Sequence, residues 1–396
     1  MLLLSLALLL FTSYQAVAAA EDTVALPPQP FGHFTNNTIH QPIGNETFAY
    51  PRYLELTDGT VLATASRYWG TGQPHFLIFE TTDGGANWKH LSNLTDRVLG
   101  SDRIVQPALA QLTEDIGEFK AGTIVATGNS EIIGTAGATQ FDLYASTDRG
   151  RSWEFVSHIA TGGAPNTTNG HTPIWEPYLL PYKGQLVVYY SDQGDPLHGQ
   201  KLAHRTSSNL IDWDPAVNDV MYELYTARPG MTIVAYIPPT DEWILVYEYP
   251  VGNSSGFGVD YPVYYVIAKS PLEFGKSVGR PIIVNGNSTR SPNAGPYVVW
   301  SPLGGPNGTI IVSDSSNPQV FTNSFGGAIN SWEEHATPAS SCYSRSIQLL
   351  KTHPDNLLIY GGETWAGVPS RGKTPFTVTA VSLLETLKKP AEEQTV

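Results

Sequence analysis

The stretch TTDGGANW (Thr81–Trp88) returns as STDRGRSW (Ser146–Trp153), and both fit Ser/Thr-x-Asp-x-Gly-x-x-Trp. A short acid, a glycine and a tryptophan at constant offsets answer a local need. The aspartate accepts hydrogen bonds from turn amides, and the glycine takes a positive φ at little steric cost. The tryptophan is expected to bury its ring against the hairpin it follows. Such a device closes a β-hairpin and needs no chemistry. Asp83 and Asp148 stand 65 residues apart, and a degenerate copy, TSSNLIDW, places Asn209 another 61 on. A later stretch, NSFGGAINSW, keeps the tryptophan but has lost the aspartate.

Around these turns, aromatic and β-branched runs alternate with Gly/Pro/Asn/Asp clusters. GTVLATASRYW, HFLIFETT, FDLYAST, QLVVYYSD, EWILVYEY, PVYYVIAKS, GTIIVSDS and NLLIYGGE read as strands. No long amphipathic helix interrupts them. Dividing the chain by the turn-to-turn period gives six equal all-β units. That predicts a six-bladed β-propeller of four-stranded antiparallel sheets. The expected organisation is a leader over 1–20 and a single propeller over 21–396.

The leader reads MLLLSLALLLFTSYQAVAAAED. Its apolar core from Leu2 to Phe11 is too short to span a membrane, and Ala16-Val17-Ala18 resembles a cleavage site. It reads as a secretory signal peptide, so the protein is expected to be secreted and extracellular. Sequons at Asn36, Asn45, Asn93, Asn166, Asn253, Asn287 and Asn307 predict a glycosylated surface. The lone cysteine, Cys342, cannot form an internal disulfide, so the core must hold the fold. The net charge of −14 is spread without basic blocks, which argues against nucleic acid and favours a neutral polymer as partner. No membrane partner is expected, and the expected state is a monomer. No His/Cys/Asp cluster has ligand spacing, so neither metal nor cofactor is expected.

Antiparallel connectivity sorts residues onto the two faces of the disc. If each unit begins with its innermost strand at the top, the hairpins carrying the repeated turns lie at the bottom. The starts of the first strands then place Arg52, Arg103, Glu176, Arg228, Asn293 and Tyr343 at the top. The ends of the second strands place Arg67, Glu131, Asp192, Glu248, Asp314 and Glu363 there too. Carboxylates facing arginines and a tyrosine suggest glycosidic chemistry, where one carboxyl group protonates the leaving oxygen and another attacks or activates water. Glu176 follows Trp175, a candidate sugar platform, and Glu248 ends a strongly apolar strand. Position alone does not choose the pair. His171 could contact a sugar hydroxyl. Arg67, Arg228, Arg290 and Arg345 are candidates to keep a buried carboxylate ionised, and Arg67, Arg228 and Arg290 are also candidate substrate contacts. Each of these side chains also has a plain structural reading, as core, loop or inter-blade ion pair.

The repeated turns resemble the Asp boxes of sialidase-like propellers, and AYPRYLELTDGTVLA is similar to the start of their first blade. TPIWEPYL, ILVYEYP, YVIAKSPLEFG and CYSRS, in that order and separation, resemble glycoside hydrolase family 93, the fungal exo-α-1,5-L-arabinanases. The likeness runs over essentially the whole mature chain. It implies a retaining hydrolase that releases arabinobiose from the non-reducing end of linear α-1,5-L-arabinan or its oligosaccharides. It also implies Glu176 as acid/base and Glu248 as nucleophile, with Tyr343 holding the nucleophile by a hydrogen bond. A retaining pair stands about 5 to 5.5 Å apart.

Two other readings share the fold. A sialidase would need an aspartate in the loop after SRYWG, where the chain reads TGQPHF, and would leave Glu176 without a task. A non-catalytic carbohydrate-binding propeller would repeat one pocket in every blade, whereas the top residues differ from blade to blade.

Overall fold

In the strand Ile124–Ile132, eight of nine residues are buried, Asn129 and Glu131 among them, so both faces of the strand are covered. A strand covered on both sides belongs inside a stack of sheets. The computed structural model describes residues 32–250, 260–284, 291–364 and 374–388. The leader at 1–20, Arg290 and the sequons Asn253 and Asn287 lie outside the described residues.

An N-terminal strand, β1 (Phe34–His40), precedes the first blade. Blade 1 follows with β2 (Thr47–Glu55), β3 (Val61–Tyr68), β4 (His75–Thr81) and β5 (Lys89–Thr95). Blade 2 is β6 (Arg103–Gln111), β7 (Ile124–Ile132), β8 (Ala138–Ser146) and β9 (Glu154–Gly162). Blade 3 is β10 (Ile174–Tyr182), β11 (Gln185–Asp192), β12 (Lys201–Ser207) and β13 (Val217–Val220). Blade 4 is β14 (Gly230–Ile237), β15 (Glu242–Glu248), β16 (Val263–Ala268) and the two-residue β17 (Arg280–Pro281). Blade 5 is β18 (Tyr297–Ser301), β19 (Thr309–Ser313), β20 (Val320–Asn323) and β21 (Glu333–His335). The last strands are β22 (Ile347–Leu350), β23 (His353–Gly361) and β24 (Phe376–Ser382), followed by a short helix, α1 (Leu383–Leu387).

Every sheet is four-stranded and antiparallel, and the chain forms six of them, as the turn spacing predicts. The sixth is ordered β22-β23-β24-β1, so the N-terminal strand completes the C-terminal blade. That pairing ties the two ends of the described chain together. The apolar cores lie between blades. Leu62 and Ile78 of blade 1 pack with Ile124, Tyr144 and Trp153 of blade 2, and Val125 and Phe141 of blade 2 pack with Leu186 and Val188 of blade 3. Burying one such side chain is worth roughly 1.5–3 kcal/mol, so the ring coheres through blade-to-blade contact.

The repeated turns join the third and fourth strands of their blades, at the bottom face. Asp148 Oδ1 accepts from Arg151 N at 3.0 Å, Ser152 N at 2.9 Å and Ser146 Oγ at 2.8 Å. Asp83 does the same with Asn87 N at 2.9 Å and Thr81 Oγ1 at 2.7 Å. Asn209 replaces the acid in the third copy and still accepts from Ile211 N and Asp212 N, at 2.9 and 2.8 Å. Trp88 keeps to the expected turn through its indole N–H, which donates to Gly85 O at 2.9 Å, while its ring stands edge-on to Tyr360 of the sixth sheet. The other tryptophans correct the sequence reading, because they dock on the preceding blade. Trp153 Nε1 donates to Ser92 of β5 at 3.1 Å, and Trp213 Nε1 donates to Ser157 of β9 at 3.0 Å. Trp332 of blade 5 stands edge-on to Tyr265 of blade 4, with centroids 5.4 Å apart. The turn is therefore a clip between blades.

Candidate active site

The top face is built on a repeated backbone distortion. In β2, β6, β10 and β14 the pairing register slips near the top, as at a β-bulge. One residue at each slip is left-handed: Tyr50 (φ 52°), Gln106 (56°), Glu176 (53°) and Met231 (63°). Ala294 (62°) and Ser344 (55°) take the same conformation just before β18 and β22. Each freed amide reaches the preceding blade. Gln106 N donates to Ser66 Oγ at 2.7 Å, Glu176 N to Gln106 Oε1 at 3.0 Å, and Met231 N to Ser191 Oγ at 3.2 Å. Ser344 N donates to Ser315 Oγ at 2.8 Å, and Ala294 N and Tyr50 N donate to Tyr261 O and Tyr343 O, both at 2.9 Å. Six left-handed residues, four of them at bulges, thus form a ring of inter-blade hydrogen bonds.

That ring surrounds a cavity of about 1050 Å³, into which both glutamates project. Glu176 opens partly onto it from the bulge of β10. Its Oε2 accepts from Ser191 Oγ at 2.8 Å and its Oε1 from Gln106 Nε2 at 3.3 Å. Glu248, at the end of β15 in the next blade, is only 8% exposed. Its Oε2 accepts from Gly295 N at 2.8 Å. Gly230 lies opposite Glu248 in the ladder, and a Cβ there would stand 3.6 Å from Glu248 Oε1 and 3.0 Å from Gln200 Nε2.

Burial raises both carboxyls, Glu176 to about 7 and Glu248 to about 8. For Glu248 the Gly295 amide opposes that rise, the charge of Glu176 adds to it and Arg228 opposes it again. Two such groups titrate as a pair, and between their ionisations they hold a single proton. Arg228 is the cation that acts on both carboxyls. Its guanidinium is fixed by Asn169, Gln193 and Gln200, at 2.6, 2.9 and 2.7 Å. Tyr343 lines the cavity edge-on to Tyr50, with ring centroids 5.1 Å apart. Burial drives its hydroxyl far above the ordinary tyrosine range, and the charges of Glu248 and Glu176 push it further.

Of the residues expected at the top, the cavity gathers Glu176, Glu248, Tyr343, Trp175, Arg228, Arg103, Glu131 and Asn293. Trp175 is only 8% exposed, and its indole N–H is tied to Gln193 Oε1 at 2.7 Å, so it offers an edge and not an open stacking face. Several expectations are corrected. Arg67 does not line this cavity; its Nε donates to Glu46 Oε1 at 2.8 Å and it borders a separate hollow. His171 is exposed outside the cavity, 3.2 Å from Asn166 Nδ2. Arg52 lies beneath the floor, donating to Pro51 O at 2.7 Å and Ser344 O at 3.1 Å. Arg345 is fully buried beside Asp314. Asp192, Asp314 and Glu363 bond to their own loops and neighbours instead of facing the cavity. Sequence reasoning missed Tyr50, Gln106, Ser191 and Gly295. A usable signal existed, since Tyr50-Pro51, Gln106-Pro107 and Glu176-Pro177 repeat a proline directly after the left-handed residue.

No family model matches the sequence, and neither does any curated protein. Solved structures do. The chain is 38% identical to an α-L-arabinofuranosidase of Fusarium graminearum solved with arabinobiose, over 90% of this chain and 99% of that one, with a TM-score of 0.83. It is 36% identical to a Penicillium chrysogenum α-L-arabinanase complexed with arabinobiose, at the same coverage and a TM-score of 0.82. The NanB sialidase of Streptococcus pneumoniae shares the fold alone, at 10% identity, 88% and 71% coverage and a TM-score of 0.60. The Fusarium enzyme is a family 93 protein, and at 38% identity over 90% of its length the present chain belongs to glycoside hydrolase family 93.

Proposed function

We propose that this protein is a secreted, monomeric, retaining exo-α-1,5-L-arabinanase that releases arabinobiose from the non-reducing end of linear arabinan. The observation that carries this reading is the pair of raised, buried carboxyls sharing one cavity, in a chain so similar to enzymes solved with arabinobiose.

Glu176 is the acid/base and Glu248 the nucleophile. Glu176 donates its proton to the glycosidic oxygen while a Glu248 carboxylate oxygen bonds the anomeric carbon and the carbon–oxygen bond to the leaving chain breaks. Water then enters, gives its proton to Glu176 and displaces Glu248, restoring both groups. The division of labour follows from exposure and donors. The two pKa values alone run the other way, since Glu248 at about 8 holds the shared proton more tightly than Glu176 at about 7, so substrate binding has to move that proton to Glu176. Glu248 is nearly closed off, with Oε2 held by Gly295 N and Oε1 facing the bare Gly230. A fixed oxygen with one free edge suits attack. Glu176 is the more open of the two, so a leaving oxygen and then a water can reach it. Arg228 offsets the negative charge of either carboxylate, and Tyr343 borders the nucleophile.

Two rivals lose support. A sialidase must grip a carboxylate, yet Arg52 is committed to Pro51 and Ser344 below the floor and Arg103 pairs with Glu131. A lectin would repeat its pocket, whereas the six left-handed positions of the top ring carry six different residues. Export is supported by the exposed sequons Asn36, Asn45 and Asn93 on the outside of the disc.

Incubation with linear arabinan followed by chromatography tests the reading. Arabinobiose alone from the first time point supports it. A ladder of longer products, free arabinose, or an untouched polymer beside a hydrolysed sialoside contradicts it.

A further inference from the structure

Beside the catalytic cavity lies a second hollow of about 280 Å³, edged by Trp69. Tyr68 and Arg103 line both, so a single wall separates them. We propose that this hollow, with Trp69 as its platform, binds furanose residues of the chain that departs from the cleaved bond. The inference rests on the arabinanase reading above.

Trp69 is 46% exposed, at φ 60°. A bulky side chain rarely adopts that backbone. Every other left-handed non-glycine residue among those described belongs to the top ring, a bottom hairpin or β1. Trp69 falls in none of these classes, and strain outside a repeated structural role marks functional positions.

The surrounding loop is built to hold that pose. A Cβ on Gly70 would meet the Arg67 guanidinium carbon at 2.3 Å, so a larger residue would displace that guanidinium from its place under the loop. Arg67 is anchored to Glu46, and its Nη1 reaches Thr71 O at 3.5 Å. The His75 ring is 2.7 Å from Gln73 O. The indole is therefore presented in advance, without the entropic cost of ordering a loop on binding. Arg67, which the sequence placed among the substrate contacts, works one step back as the support of this loop.

Charge and direction select the ligand. Arg67 pairs with Glu46 and Arg103 with Glu131, so the hollow's cations are already compensated. Such a lining suits hydroxyl groups better than an anion. An exposed indole supplies an apolar face for a sugar ring. In a displacement by Glu248, the leaving oxygen lies across the anomeric carbon, on the side of Glu176. The departing chain therefore runs away from blade 4, towards blades 2 and 1, where Trp69 stands.

The test compares linear arabinan with 4-nitrophenyl α-L-arabinobioside, whose leaving group carries no furanose residue to occupy that hollow. Trp69→Ala, and Trp69→Asn (which tolerates the left-handed backbone), should lower kcat/KM on arabinan about five- to tenfold, mostly through KM, the scale of one lost stacking contact. Cleavage of the aryl substrate should change by less than about twofold, and Trp69→Phe should restore most of the polymer activity. Equal losses on both substrates, or no loss on either, overturn the subsite while leaving the arabinanase reading intact. A wild-type enzyme inert on both substrates overturns the arabinanase reading and the subsite with it.

Discussion

Asp148 in a bottom turn and Glu176 on a top bulge are both carboxylates at the end of a blade, and the fold shifts them in opposite directions. Around Asp148, desolvation acts against the charge, but donors from Ser152, Ser146 and Arg151 outweigh it and the pKa falls. Around Glu176, desolvation wins over Ser191, Arg228 and Arg52, and the pKa rises to about 7. The two ends also differ in what repeats. At the bottom one turn recurs, with aspartate in two copies and asparagine in a third, because each performs one task, closing a hairpin against its neighbour. At the top only the backbone recurs, while Tyr50, Gln106, Glu176, Met231, Ala294 and Ser344 all differ. A ring that repeats its scaffold and varies its side chains can assemble one composite site.

The largest expected effect falls on the top. Glu176→Gln and Glu248→Gln should each lower kcat/KM on arabinan by about 10³-fold or more while the circular dichroism spectrum stays native. Ordinary turnover in Glu248→Gln would break the contrast at once. The largest effect from the other end should be on stability alone. Trp332, fully buried between blades 5 and 4, should cost about 3–5 kcal/mol on replacement by alanine, read from the denaturant midpoint. The folded fraction should keep its kcat/KM within about twofold. A bottom-face change that abolished turnover without unfolding would blur the division.

A pH-dependent effect sharpens the electrostatic half of the comparison. The folded pKa of Glu248 lies above its unfolded value, so its ionisation destabilises the fold as pH rises towards about 8. Glu248→Gln removes that cost. It should raise stability by about 4 to 5 kcal/mol at pH 8.5 and by almost nothing at pH 4. Asp148 has the reverse sign, since its contribution is present above the unfolded pKa and lost as pH falls through the lowered folded value. Asp148→Ala should cost about 1 kcal/mol at pH 7, with the difference shrinking as the buffer is taken below pH 3. Thermal melts across pH read both. Stabilities that moved together with pH would contradict the opposite shifts.

Legibility in the sequence followed the range of the interactions. The Asp-box turn is closed by residues within eight positions of one another, so its spacing exposed the blade count. Closure of the ring by Phe34–His40 pairs residues more than 330 positions apart, and no local pattern announces it. The glutamate pair was named through family likeness, whereas counting strand ends put Arg52 and Asp314 beside them. That count assumed regular alternation. The bulges break it, turning Tyr50 and Gln106 towards the cavity in place of Arg52, while Asp314 is held by Asn293 N and Asn317 Nδ2. Trp153 and Trp213 were placed on the wrong partner for a similar reason, since a hairpin's sequence holds no record of the neighbouring sheet.

Chemical rescue with azide tests most directly whether Glu176 and Glu248 divide one reaction between them. With 4-nitrophenyl α-L-arabinobioside as substrate, Glu248→Gly should regain turnover in azide and yield the β-configured glycosyl azide, because azide enters from the side the nucleophile vacated. Glu176→Gly should yield the α-configured azide through the covalent intermediate. The same anomer from both variants, or no rescue of Glu248→Gly, would contradict the assignment.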